Sequence, residues 1–192
     1  MLSAFPATYS RLLQKSEEIG FSMPSDHLAG SLLRTLVASK PGGRFLELGT
    51  GIGLSLSWMV QGMDHEATLI SIDNDPDLLQ WVRPEFPEAP GLQIVCEDAA
   101  RWIKNYQGPP FDLIFADAWP GKYSALPETL DLVKVGGFYV VDDMLEQANW
   151  PEGHAEKAAT LSEWLMQLNN FEVTQLDWST GIFVCTKTDI GS

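Results

Sequence analysis

The stretch RFLELGTGIGLSLSWMV, residues 44–60, decides how the rest of the chain is read. An apolar run of strand length passes directly into Gly49, Thr50, Gly51, Ile52 and Gly53, and then into an apolar segment of helical length. Glycines at such a junction let the backbone turn tightly and approach a ligand, at the positive end of the helix that follows. A G-x-G-x-G alone is weak evidence, but a strand before it and a helix after it are the context a nucleotide-binding turn requires.

Outward from that stretch, short apolar runs recur at 68–73, 92–96, 111–117, 137–143, 171–176 and 181–187. Several are apolar on both faces, as strands are when helices cover a parallel sheet from both sides. Segments of helical length lie between them, at 54–63, 75–82 and 154–170. The alternation predicts an α/β fold of the doubly wound, Rossmann-like kind, with a mostly parallel seven-stranded sheet and helices on both faces. Only a few residues separate 171–176 from 181–187. That gap is too short for a crossover helix, so the last two strands are expected as an antiparallel hairpin. Two helices are expected before any strand, at 7–20 and at 26–40, the latter opened by Ser25 and Asp26. The expected organisation is one domain, with residues 1–40 a helical cap on a core spanning 41–187.

The chain has 26 Asp and Glu against 12 Lys and Arg, a formal net charge of −14. That field disfavours nucleic acid and anionic membrane surfaces as partners. Cys96 and Cys185 fall in strand-like runs and are expected as buried, reduced thiols, not a disulfide framework. The start, MLSAFPATYSRLL, lacks the basic and apolar blocks of a secretory signal, and no apolar stretch nears the roughly 20 residues of a membrane span. A cytoplasmic location is the resulting expectation. The apolar N-terminal helices suggest a homodimer contact.

The acidic residues are not scattered evenly. Asp73 ends the second strand, 20 residues after Gly53, where a carboxylate can take both hydroxyls of a ribose. Asp98, beside Ala99, opens a helix after the third strand; it reads either as a plain N-cap or as the partner of an adenine amine. Asp117 ends the fourth strand, and Asp142 and Asp143 end the fifth. In a parallel sheet these ends share one edge, where open α/β folds bind ligands. Three carboxylates there would raise each other's pKa values, and a divalent cation such as Mg²⁺ would relieve them.

FLELGTGIG, with Glu47 two residues before the first glycine, then SID, EDA and VGGFYVVDD, together resemble Rossmann-like S-adenosylmethionine-dependent methyltransferases. The resemblance covers roughly residues 24–187. It implies that Glu47, Gly49, Gly51, Gly53, Asp73, Asp98, Ala99 and Asp117 hold S-adenosylmethionine. Asp117, Trp119, Tyr123, Asp142 and Asp143 further resemble the metal and acceptor site of catechol O-methyltransferase and related bacterial and plant enzymes. That likeness implies a metal on Asp117, Asp142 and Asp143, and methyl transfer to a hydroxyl of a small, aromatic acceptor.

Two positions depart from the pattern. Asp143 stands where the family has Asn, and Pro120 where it has a lysine base. Lys122 is the substitute base on one reading and a solvated loop lysine on the other. Trp119 and Trp150 are candidate walls for a flat acceptor, with Met23, Ser25 and His27 as entrance residues. Trp58, Trp81, Trp102 and Trp164 are expected in the core, and His65 and His154 carry no assigned role. The alternatives are a metal-independent methyltransferase, a cofactor-binding protein without catechol-type catalysis, and a nicotinamide-dependent oxidoreductase.

Overall fold

The strand–glycine–helix unit at 44–62 lies at the centre of the sheet. The structure is a computed structural model, described over residues 5–147 and 150–189. Residues 1–4 of the expected cap and 148–149 of the loop before the last helix lie outside the described residues.

The elements run α1 (Ala7–Ile19), α2 (His27–Ala38), β1 (Arg44–Leu48), α3 (Leu54–Gly62), β2 (Thr68–Asp73), α4 (Pro76–Val82), β3 (Leu92–Cys96), α5 (Ala99–Asn105), β4 (Phe111–Ala116), α6 (Leu126–Asp131), β5 (Val133–Val141), α7 (His154–Leu165), β6 (Phe171–Leu176) and β7 (Ile182–Lys187). The seven strands form one sheet in the order β3-β2-β1-β4-β5-β7-β6. β1 pairs in parallel with both β2 and β4, while β7 runs antiparallel to β5 and β6. The doubly wound sheet and its closing hairpin are therefore as expected. The strand order reverses at β1/β4, the position where such sheets open a ligand crevice.

Central strands carry two apolar faces because helices cover both. Leu46, Leu48, Ile114 and Tyr139 pack into one layer, and Phe45, Leu113, Phe115 and Val140 into the other. α1 and α2 spend their apolar faces inside the chain: Tyr9 and Leu12 pack around Trp58 of α3, and Leu33 and Val37 join the layer beneath β1.

Three expectations are corrected. Cys96 is exposed, because β3 is an edge strand; Cys185 is buried between β5 and β6, and burial pushes its thiol up to about 12. Trp81 and Trp164 are about two-fifths exposed rather than core residues. Lys15 covers the Trp81 ring, and Trp164 walls a surface groove. Finally, β5 begins at Val133, four residues earlier than its apolar run, and short α6 precedes it.

Candidate functional site

The glycine loop is held from three sides. Gly49, Gly51 and Gly53 all have positive φ, at 101°, 52° and 85°. A Cβ on Gly49 would lie 3.0 Å from the backbone of Asp117, so the turn packs directly against the end of β4. Asp73 Oδ2 accepts the Gly51 N–H at 2.8 Å, and its Oδ1 accepts the Asp75 N–H at 2.9 Å. The carboxylate expected at a ribose thus also fastens the loop.

Glu47 lies under the loop and has no exposed surface. It accepts hydroxyl protons from Ser55 at 2.6 Å and Ser71 at 2.5 Å, and Ser71 contacts Thr50 of the loop at 2.6 Å. Burial pushes its pKa up to about 7, against the lowering effect of the two hydroxyls. Glu47 therefore braces the turn from below. Asp98 caps α5 by accepting the Arg101 N–H at 2.8 Å, and Ala99 begins that helix.

Beside the loop a pocket of about 540 Å³ opens at the carboxyl ends of β4 and β5. Asp117, Trp119, Lys122, Tyr123, Asp142, Asp143 and Trp150, all expected at the site, line it. Ser25 and Met23 do as well, and Ser25 donates to Asp117 Oδ2 at 3.1 Å. His27, by contrast, begins α2 and lies near the Phe5 ring. Burial drives the Asp117 pKa well above the carboxylate range, with Asp142 and Asp143 adding to the rise. Burial also raises Asp142 to about 6, although Thr180 donates to its carboxylate and the Asp143 N–H reaches it at 2.8 Å.

The turn after β4 sets the floor of the pocket. Gly121 has φ 87°, its N–H donates to the Ser124 carbonyl at 2.7 Å, and the Tyr123 N–H donates to the Trp119 carbonyl at 2.9 Å. Tyr139, fully buried in β5, donates its hydroxyl to the Gly121 carbonyl at 2.7 Å and ties this turn to the sheet. Tyr139→Phe is expected to cost about 1–3 kcal/mol, since the carbonyl loses its partner in a dry interior. Urea unfolding checks it, and an unchanged midpoint would rule out the anchoring role.

Lys122 is not a solvated loop lysine. Only 5% of it is exposed, and its Nζ donates to the backbone carbonyls of Asp142 at 2.6 Å and Asp143 at 3.4 Å. Burial lowers its pKa, opposed by Asp117, Asp143 and Asp142.

His154, Gln147 and Thr180 also line the pocket, and none carried a role in the sequence reading. His154 Nε2 lies 3.3 Å from the Tyr123 hydroxyl, and its ring is 4.4 Å from that of Trp150. Burial lowers its pKa, which favours the neutral imidazole. Its only sequence signal was its place at the first turn of α7, close to Trp150 in the chain. A second groove, about 820 Å³ and walled by Leu126, Pro127, Leu161 and Trp164, shares Trp119, Lys122 and Tyr123 with the pocket.

A parallel sheet with a glycine turn at the switch point, an acid after β2 and a pocket at β4/β5 defines a Rossmann-like α/β protein of the methyltransferase type. The family model for O-methyltransferases matches residues 13–188, and the chain belongs to that family. Over 134 residues it is 30% identical to a provisionally named O-methyltransferase of Mycobacterium leprae, covering 67% of this chain and 59% of that one. The chain thus matches about three-fifths of that curated relative's length.

Solved structures share the fold at low identity. An O-methyltransferase of Bacillus cereus in complex with S-adenosylhomocysteine superposes with a TM-score of 0.82 at 18% identity, covering 98% of this chain and 94% of that one. One from Streptomyces achromogenes, involved in tomaymycin synthesis and bound to S-adenosylmethionine, gives 0.81 at 20% identity, covering 98% and 92%.

Proposed function

We propose that the protein transfers the methyl group of S-adenosylmethionine to a hydroxyl of a small, aromatic acceptor. The observation that carries this reading is the packing of the Gly49 turn against the end of β4, beside a pocket lined by aromatic and carboxylate side chains. Family membership and cofactor-bound fold relatives support it.

When bound, S-adenosylmethionine supplies an electrophilic methyl on a sulfonium, which the acceptor oxygen takes as S-adenosylhomocysteine forms. The chain supplies the rest. The Gly49–Gly53 loop would face the cofactor with its backbone, Asp73 would accept the ribose hydroxyls, and Asp98 with Ala99 would meet the adenine. Asp117 would lie between cofactor and acceptor. Trp119, Tyr123 and Trp150 would sandwich an aromatic ring, and the apolar groove beside them would receive its body. Proximity and water exclusion contribute much of such a barrier reduction. The acceptor proton needs a base, and neutral His154 lines the same pocket as Asp117.

The residues do not fit the divalent metal that the resemblance implies. Among the described residues, no three Asp, Glu, His or Cys side chains are grouped as metal ligands. Asp142 Oδ1 already accepts from Thr180 and from the Asp143 N–H, and Lys122 Nζ donates to the Asp142 and Asp143 carbonyls in the same pocket. No step is therefore assigned to a metal.

Calorimetric titration with S-adenosylhomocysteine tests the reading. Wild type is expected to bind, and Asp73→Asn to bind about 10–100-fold more weakly with some loss of stability, since its amide nitrogen replaces an oxygen that accepts the Gly51 or Asp75 N–H. No binding to wild type at millimolar ligand would sink the proposal. Saturable binding of reduced nicotinamide cofactor in its place would favour an oxidoreductase.

A further inference from the structure

The sequence places a proline where the catechol-type pattern has its lysine, three residues beyond Asp117, and puts a lysine two residues later. The tight turn at Gly121 turns that difference into geometry. It sends the Lys122 side chain inward, so that a cation of the chain itself ends against the last carbonyls of β5's exit, at Asp142 and Asp143.

We propose that the Lys122 ammonium is the resident cation of the acidic pocket, so that the site works without a divalent metal and takes an acceptor through one oxygen, not through a chelating diol. This rests on the methyltransferase reading above.

Three observations converge on it. Lys122 is buried and lines the same pocket as Asp117, Asp142 and Asp143. Two oxygen donors that a hard cation would draw on, the carbonyls of Asp142 and Asp143, are turned to the ammonium. One oxygen of each of two carboxylates is also engaged: Asp117 Oδ2 with Ser25, and Asp142 Oδ1 with Thr180 and the Asp143 N–H. Mg²⁺ demands near-octahedral oxygen ligation and binds through one or two carboxylates with waters and substrate oxygens. A second cation in this pocket would face a buried like charge instead.

The ammonium also sets the acceptor class. It has three donors, and the two carbonyls take two of them. One remains for the pocket that Lys122 lines. A single donor matches a single phenolic oxygen, whereas a metal rewards two adjacent oxygens.

The test uses Mn²⁺ as a paramagnetic probe, with the full chain saturated in S-adenosylhomocysteine. Wild type is expected to leave the free-ion signal unchanged into the millimolar range. Lys122→Met, checked for folding by its thermal transition, is expected to bind Mn²⁺ about 10–100-fold more tightly, and Asp117→Asn added to it should remove that gain. Wild-type binding of Mn²⁺ that Asp117→Asn abolishes would overturn the proposal, and so would a folded Lys122→Met with no gain. If Lys122→Met does not fold, Lys122→Gln takes its place and the wild-type titration decides alone. Failure of S-adenosylhomocysteine to bind would instead strike the methyltransferase reading, because that titration is separate and run in chelator.

Discussion

Gly49→Val is expected to abolish measurable S-adenosylhomocysteine binding and to lower stability by about 3–5 kcal/mol. Two costs add. At φ 101° a β-branched residue enters a region of the backbone map that L-residues avoid, a strain of roughly 1–3 kcal/mol. The new Cβ also meets the Asp117 carbonyl carbon and oxygen at 3.0 Å and the Ala118 Cβ at 3.1 Å. Those are backbone and first side-chain atoms of β4's exit, with no flexible end to swing away. Relief therefore requires the loop and the strand end to part, and that would open the junction on which the proposed cradle depends. Gly136→Ala supplies the comparison. Its φ is 74°, but a Cβ there meets nothing within 4 Å, so it carries the strain alone, about 1 kcal/mol, with ligand binding intact. Urea unfolding and calorimetry on both variants separate strain from collision. Wild-type binding by Gly49→Val would show that the turn does not face the cofactor.

Most of the architecture was legible because the chain's periodicities are clean. Parallel central strands buried on two faces announce themselves as continuous apolar runs, and RFLEL, TLISID and FDLIFA begin and end within a residue or two of the observed strands. β5 was read late because its first residues, Val133 to Gly137, interrupt two valines with a lysine and end in two glycines, are exposed over 134–136, and carry a register irregularity against β4. The lining of the candidate pocket was legible where it depends on chain position at a strand end, as for Asp117 and Asp142. It was not legible where it depends on the path of a loop. Lys122 looks like any loop lysine until the Gly121 turn and the Tyr139 anchor fold it inward. His154 and Thr180 come from α7 and the β6–β7 turn, far along the chain, and only the antiparallel hairpin brings Thr180 back to the end of β5. Trp81 and Trp164 misled because a tryptophan in a helix can cover its ring with a lysine stem or wall a groove as readily as enter a core.

Glu47→Gln is expected to stabilise the protein above neutral pH by up to about 3 kcal/mol, with the gain shrinking towards pH 5. The acid is fully buried, and burial raises its pKa from 4.5 to about 7. Between those values the folded state binds a proton that the unfolded chain has released, so the native protein loses stability as pH rises through the interval. About 2.5 pKa units at 1.36 kcal/mol each set the ceiling. Glutamine keeps the shape and an acceptor oxygen for Ser55 or Ser71, and a serine hydroxyl can turn to accept from its amide. It has no charge to desolvate, so that part of the slope vanishes. Asp117 and Asp142 are raised as well and steepen the wild-type curve in the same direction, but they remain in both proteins and cancel in the difference. The measurement is the stability difference between Glu47→Gln and wild type by urea unfolding from pH 5 to pH 8.5. A difference that does not change with pH would mean that the Ser55 and Ser71 hydroxyls solvate the carboxylate as well as water does. In that case Glu47 would be ionised throughout and would present a full negative charge beneath the glycine loop, directly under the place proposed for a sulfonium cofactor.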